Sequence, residues 1–330
     1  MMVVPGSIPN IILSLITKKK CQLNNTARYN YFNLFLRITV GIAAVLFIAS
    51  KLINDFPFQL NEFKTTNVNW YLLIVVLVLG AFNWRIETYK WRFLIANVRK
   101  ISMSRAFKLV LTGITVSLIT PNRVGEIPAR AYLLNDKENL KHLIYYTFIG
   151  SYAQLLITWL MGSIGLYFTL SLIEINIPSS SLLILSLLGI FLLVAFFFFE
   201  KIKLMVFKFF KIESVIIKQP NQFLVALFYS FLRYVVFFVQ YWLVLEAFNI
   251  HFTDINSLWL ITVCFLIASV VPTLLISELG VRSSVAVLVF SSLSDNNLSI
   301  ISASVLLWVI NIGVPAIIGL FGLKELRIKN

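Results

Sequence analysis

Six charged side chains stand where hydrocarbon is expected: Arg123, Glu126, Arg130, Arg233, Glu278 and Arg282 all fall inside apolar stretches. Charge at membrane depth is expensive unless it faces a polar cavity or lies inside protein, so each residue marks a candidate site. Arginine stays charged in any protein setting and presents a planar fork that matches phosphate. Four arginines against Glu126 and Glu278 leave an excess of two positive charges. The simplest ligand for that excess is the phosphate of a lipid. A second reading stands beside it. Glu126 with Arg130, and Glu278 with Arg282, are spaced i,i+4 and can close as internal ion pairs that only pin a helix start. That reading leaves Arg123 without an acidic partner at helical spacing and Arg233 alone in mid-span. Ser117, Thr120, Asn122, Thr273 and Ser277 add neutral donors nearby, although most hydroxyls in spans are back-bonded to their own helix. Gln154 and Gln240 fit helix–helix contacts better than ligand contacts.

The backbone around these charges is broken. Pro121, Gly125 and Pro128 interrupt the first stretch, and Pro272 and Gly280 interrupt the second. From Ala106 the chain runs apolar to Pro121 and then has only Ile127 to Leu134 before Asp136. Eight helical residues cover roughly 12 Å, well short of a hydrocarbon core of about 30 Å. The economical arrangement is a re-entrant hairpin that enters and leaves on one side. A second hairpin enters at Leu258, breaks at Pro272 and leaves through Val285 to Leu293, from the opposite face. Hairpin tips expose backbone N–H groups and a helix start, both of which attract anions.

The elements that must hold these tips follow from composition. Of 330 residues, 59% are hydrophobic and only 13% charged, about half the charge of a soluble chain. Continuous apolar runs exclude a β-barrel, whose strands alternate. The expected fold is an all-α polytopic membrane protein. It has about six transmembrane helices, near 33–52, 70–87, 143–173, 182–199, 222–248 and 298–320, plus the two opposed re-entrant helical hairpins. Arg37 and Arg85 lie near span ends and snorkel to head groups. The segment 87–108, with six basic residues and one acid, reads as a cytosolic loop. The chain then divides into a membrane domain at 34–323, a cytosolic tail at 324–330 and a cytosolic segment at 1–33. The apolar part of that first segment, Ile8 to Ile16, fits either a surface-lying helix or a disordered leader. Within the domain, 34–172 and 182–320 form two copies of one unit that run in opposite directions. Such inverted repeats, with broken helices meeting near the midplane, are a common transporter plan.

Other classes are disfavoured. The net charge of +14 does not describe a nucleic-acid surface. Twenty of the 28 Lys and Arg fall in segments assigned to one side and two in those assigned to the other, which is the positive-inside pattern. Both termini are therefore expected in the cytosol. Cys21 and Cys264 are too few for a disulfide framework. His142 and His251 fall in loops on opposite faces, so neither a metal nor a cofactor is expected. The first twenty residues do not form a signal peptide, because Lys18 to Lys20 follow the apolar run. No nucleophile set, P-loop or dinucleotide fingerprint occurs, so no catalytic residue is assigned. Glu126 with Glu278 as an acid/base pair of an intramembrane lipid-modifying enzyme is the weakest reading.

Three motifs carry a resemblance: Tyr89-Lys-Trp-Arg92, then Pro121-Asn-Arg-Val-Gly-Glu-Ile-Pro-Ala-Arg-Ala-Tyr-Leu-Leu134, then Glu278-Leu-Gly-Val-Arg282. Through them the chain resembles the lysylphosphatidylglycerol synthase transmembrane-region, or flippase-like, family over about 34–323. By position, Pro121, Arg123, Gly125, Glu126 and Arg130 would be that family's polar core. Asn122 replaces the usual glycine. Ser283 follows Arg282 where the second motif usually carries Glu, and Glu278 precedes the turn. The resemblance implies movement of an anionic phospholipid or polyprenyl-linked lipid between leaflets of a bacterial inner (plasma) membrane. The alternative is a non-transporting subunit that presents lipid to a separate glycosyl- or aminoacyl-transferase. Some relatives carry a soluble aminoacyl-transferase domain. This sequence shows none, so synthesis of the aminoacylated lipid itself is not expected. The expected partners are thus an anionic lipid, the bilayer and such a transferase, with a homodimer left open and no nucleic acid.

Overall fold

The computed structural model describes residues 68–118, 120, 123–169, 222–271 and 278–323. All its regular structure is helical: α1 Trp70–Ile95, α2 Met103–Ser117, α3 Glu126–Leu133, α4 Leu140–Thr169, α5 Gln222–Ala247, α6 Ile255–Val270, α7 Glu278–Phe290, α8 Asn297–Trp308 and α9 Val314–Leu320. Between α8 and α9 the five residues Val309–Gly313 form a π-helical turn, closed by the Val314 N–H donating to the Val309 carbonyl. Several starts are capped as their sequence dictates. Asn69, Ser102 and Asn296 each accept from a backbone N–H of the first turn, and Asp254 forms a capping box with Ser257. Each cap satisfies an N–H that the helix leaves unpaired.

Four helical runs are long and apolar enough to cross a membrane: α1, α4, α5 and the continuous run Asn297–Leu320. Large apolar side chains on them point outward, among them Ile74, Val78 and Phe82 on α1, Leu160 on α4, and Leu224 and Phe228 on α5. Such a surface is stable against lipid tails and not against water. The chain is a multi-pass membrane protein.

Packing repeats itself. α1 lies along α5. In the first half α2 packs on α3 and α3 on α4; in the second α6 packs on α7 and α7 on α8. The two halves then exchange partners, with α4 against α6 and α9 against α2. Both exchanged contacts use glycines three residues apart. A Cβ at Gly165 would strike the Thr262 side chain and one at Gly162 would strike Leu266. A Cβ at Gly322 would strike Thr112, and one at Gly319 would come within 2.2 Å of the Leu111 carbonyl oxygen. Small residues let the backbones approach, which is how helices associate in lipid. At the second contact Thr112 and Thr115 also donate to the Gly319 and Ala316 carbonyls, at 3.1 and 2.7 Å. The apolar core is accordingly split. One cluster gathers Leu109, Ile114, Leu133, Leu143 and Ala316 around α2 and α3. The other gathers Tyr241, Leu260, Val285, Phe290 and Ala303 around α6 and α7.

Two readings from the sequence need correction. Segment 87–108 is not a loop, because α1 continues to Ile95 and only 96–102 connects it to α2. The charges on that last stretch are taken up by the rest of the protein, which is why the helix does not end at them. Nor does Lys90 face the cytosol from such a loop, since it is 1% exposed. Pro128 and Gly280 lie in the first turns of α3 and α7 rather than between helices; a proline is tolerated there because the first N–H groups have no helical partner. Gly125 immediately precedes α3. The expected spans at 33–52 and 182–199, the segment 1–33, the loop at 174–181, the tail 324–330, and Pro121, Asn122, Pro272, Thr273 and Ser277 lie outside the described residues.

Candidate functional site

The centre of the charged region is a residue on α1. The Glu87 carboxylate is buried and meets three cations. One oxygen accepts from Arg130 Nη1 at 2.7 Å; the other accepts from Arg233 Nη1 at 2.9 Å and lies 2.8 Å from Lys90 Nζ. Lys90 spends its remaining donors on the Gly150 carbonyl at 3.1 Å and the Ser230 hydroxyl at 3.4 Å, so all three are used. Arg130 also pairs with Glu126 on its own helix. Its aliphatic stem needs Gly113, where a Cβ would come within 2.7 Å of Arg130 Cγ. Arg233 Nε donates to Asn83 Oδ1 at 2.8 Å, and its guanidinium lies over the Trp84 and Phe237 rings at 4.8 and 5.3 Å. Charges taken out of water hold only when paired and fully hydrogen-bonded. This cluster pairs every charge with residues from α1, α3, α4 and α5 and leaves one buried donor, Arg130 Nε, without a partner among the described residues.

The second charged group is looser. Glu278, at the start of α7, accepts from Arg282 Nε at 3.1 Å and lies 3.6 Å from Arg123 Nε. Arg123 sits in the break before α3 with a φ of 56°, a left-handed conformation that non-glycine residues adopt only where the surroundings hold it. Its N–H donates to the Thr120 carbonyl at 3.1 Å, while the Thr120 hydroxyl accepts from Gly125 N–H at 3.0 Å. The break is thus shaped by short local bonds that present Arg123 toward the other half of the molecule.

A cavity of about 260 Å³ joins the two groups. Arg123, Arg233 and Arg282 line it, with aromatic walls from Trp84, Tyr234, Phe237, Tyr241, Phe265 and Trp308 and neutral polar groups from Gln154, Thr158, Ser269, Ser304 and Asn311. No carboxylate is among the described residues that line it. Glu278 holds Arg123 and Arg282 from behind, and Glu87 holds Arg233 in the same way. The volume lies just under the roughly 300 Å³ at which pockets for whole small molecules begin. It has room for a group smaller than a drug-sized ligand.

Of the six charges singled out in the sequence, three therefore line the cavity, while Glu126 and Arg130 lie in the buried cluster and Glu278 backs two of the liners. Sequence reasoning missed Asn83, Glu87 and Lys90. Their spacing held a signal: 83, 87 and 90 fall at i, i+4 and i+7, a polar stripe on one face of α1. Among the described residues no group of three or more His, Cys, Asp or Glu could hold a metal ion.

The sequence model of one family, described as the lysylphosphatidylglycerol synthase TM region, matches residues 34–319. No curated protein and no solved structure was found to match.

Proposed function

The chain belongs to the lysylphosphatidylglycerol synthase TM region family, and from that premise we propose that it binds the phosphate of an anionic phospholipid or polyprenyl-linked lipid and moves it between leaflets. One observation carries the reading: three guanidiniums share a headgroup-sized cavity with no carboxylate in its described lining. Each guanidinium is paired from behind, yet Lys90, Arg123, Arg130, Arg233 and Arg282 against Glu87, Glu126 and Glu278 leave a net positive charge. In a low-dielectric setting such an excess attracts an anion far more strongly than in water. A phosphate arriving there exchanges water for charge-assisted bonds. Arg123, Arg233 and Arg282 are the binding residues in this account. Glu278 and Glu87 hold them and keep the empty site from being too positive, and Arg130 with Glu126 braces the first helix break.

In the same account the chain has six spans and two re-entrant hairpins built as an inverted repeat, in a bacterial plasma membrane with both termini in the cytosol. Supporting it, each broken unit, α2–α3 and α6–α7, packs against the last helix of the other half through paired glycines. Alternating access would be a rocking of one repeat against the other around the shared cavity.

The family's description names the membrane part of a synthase, and this favours one other reading: a subunit that presents lipid to a separate transferase without transporting it. Two measurements on purified full-length protein decide. Native mass spectrometry should find an anionic lipid class retained by wild type and lost from Arg123→Ala/Arg282→Ala with the fold intact. Unselective retention by both proteins would sink the headgroup site. Proteoliposomes with a labelled lipid of that class should then show leaflet exchange above protein-free vesicles. Retention without exchange, together with a co-purifying transferase, would leave the presenter.

A further inference from the structure

The π-helical turn Val309–Gly313 forms part of the cavity wall, where Asn311 and Ile312 stand beside Trp308. Turns of this width are rare and recur at functional sites. The cause of this one is in the sequence. Pro315 has no N–H, so the Asn311 carbonyl four residues before it has no α-helical donor, and in a regular helix the proline ring would press on that carbonyl. A buried carbonyl still needs a partner. It is supplied from α1, as Trp84 Nε1 donates to the Asn311 carbonyl at 3.1 Å.

Two neighbours on α1 connect this turn to a cavity arginine. Asn83 accepts from Arg233 Nε at 2.8 Å and donates to Asn311 Oδ1 at 3.5 Å. The Trp84 ring lies 4.8 Å from the same guanidinium, and its indole N–H goes to the same Asn311. Arg233 and Asn311 are thus bridged twice. The bridges contain one weak joint, because 3.5 Å is the outer limit of a hydrogen bond and 2.8 Å is a good one. A shift of Arg233 therefore carries Asn83 with it and parts Asn83 from Asn311.

Beyond the turn, α9 is fastened to α2. The Ala316 and Gly319 carbonyls accept from Thr115 and Thr112, and α2 ends at Ser117, shortly before the break that presents Arg123. The turn stands between the support of one cavity arginine and the helix that leads to another. A ligand moves such an equilibrium only through groups it contacts differently in the two states. Arg233 is such a group, since an anion in the cavity draws its guanidinium forward and its two α1 neighbours feel the change.

Resting on the anion-binding reading above, we propose that Val309–Gly313 is a hinge that couples occupation of the cavity to the seating of α9 on α2, with Asn83, Trp84 and Asn311 as the coupling residues. With the cavity empty, α1 holds the Asn311 side chain and carbonyl and the turn is fixed. With an anion on Arg233, that hold loosens and α9 moves with α2.

The test is amide hydrogen exchange, read by mass spectrometry over 309–323, on the full chain in phosphatidylcholine nanodiscs with and without phosphatidylglycerol. Phosphatidylglycerol should speed exchange there about fivefold, the worth of one hydrogen bond, and leave α4 unchanged. Pro315→Ala gives the Asn311 carbonyl an N–H of its own and ends its need of Trp84. This variant should retain phosphatidylglycerol as wild type does and show no speeding. A proline that only shapes the helix would alter the melting temperature and leave the speeding in place. Lipid retained by wild type with no change at 309–323, or speeding that persists in Pro315→Ala, overturns the hinge and spares the binding site. The binding reading fails differently, as retention that Arg123→Ala/Arg282→Ala does not reduce; that result removes the trigger and overturns the hinge with it. Inorganic phosphate in the phosphatidylcholine discs is the last arm. Speeding by phosphate supports the hinge and overturns a lipid as its source, and no speeding supports the lipid.

Discussion

The two broken units carry the same Glu–Arg pair at i,i+4 and bury opposite ends of it. In the first, the Arg130 side chain is 4% exposed and Glu126 23%. In the second, Glu278 is 8% exposed and Arg282 33%. The difference comes from what each pair meets. Glu87 on α1 reaches Arg130 and draws it into a closed cluster, whereas Arg123 from the first break reaches Glu278 and leaves Arg282 facing the cavity. One motif closes into a buried cluster and the other leaves its arginine on the cavity wall.

The largest effect that sharpens this contrast is at Glu87. Glu87→Gln leaves Lys90, Arg130 and Arg233 buried around a neutral group, and breaking a buried pair this way costs about 3–5 kcal/mol. Folded yield and melting temperature in detergent should fall steeply, while Glu278→Gln, whose partners are partly exposed, falls much less. Equal losses would mean the two groups are not different in kind. Next, Arg130→Ala should behave as a stability variant and Arg282→Ala as a binding variant. The second should lose at least about tenfold in anionic-lipid retention, the worth of one charge-assisted bond, with little change in melting. A stable Arg130→Ala that loses lipid would make the half-sites equivalent.

The exchanged helix contacts give a smaller contrast. Gly319→Ala drives a Cβ against the Leu111 backbone and should cost about 1–3 kcal/mol. Gly162→Ala puts its Cβ 2.5 Å from Leu266 Cβ, which no rotamer change moves, but its next contacts are at 3.1 and 3.2 Å against 2.3 and 2.6 Å at Gly319, so it should cost less in the same melting assay. The reverse order would show that α4 against α6 is the tighter contact. Smallest of all is Gly280→Ala. No described residue lies within 4 Å of a Cβ there, so the change should stabilise α7 by up to ~1 kcal/mol through helix propensity. A large loss would mean that Gly280 serves the break and not the helix.

Much of the plan was readable from local features. Apolar length located four of the runs that span, and the charges at i,i+4 closed as ion pairs where their spacing said they would. Composition carries the period of a helix and the cost of a charge, and both are local. Glu87 was hidden because its neutralisation is not. Beside Arg85, Lys90 and Arg92 it resembles the end of a span, and only the fold brings it Arg130 and Arg233, 43 and 146 residues away. For the same reason the settings of Arg130 and Arg282 could not be separated by sequence, since the choice between a buried cluster and a cavity wall lies with partners on other helices.

The π-helical turn at Val309–Gly313 has a consequence for tolerance to insertion and deletion. Its Asn311 carbonyl accepts from Trp84 Nε1 at 3.1 Å, while α9 beyond it must turn Gly319 and Gly322 onto α2. An α-helix advances about 100° and 1.5 Å per residue, so the angle between those two docking faces is set by a residue count. The wide turn takes one extra residue and adjusts that angle. Removing a single residue from 309–313 would let the turn close as a regular α-helix with little rotation of α9, whereas removing one from the α-helical stretch 314–318 would swing Gly319 and Gly322 by roughly 100°, off Leu111 and Thr112. The last helix is keyed to the cavity by an arithmetic of residues in which the π turn holds one to spare and the α-helical stretch beyond it holds none.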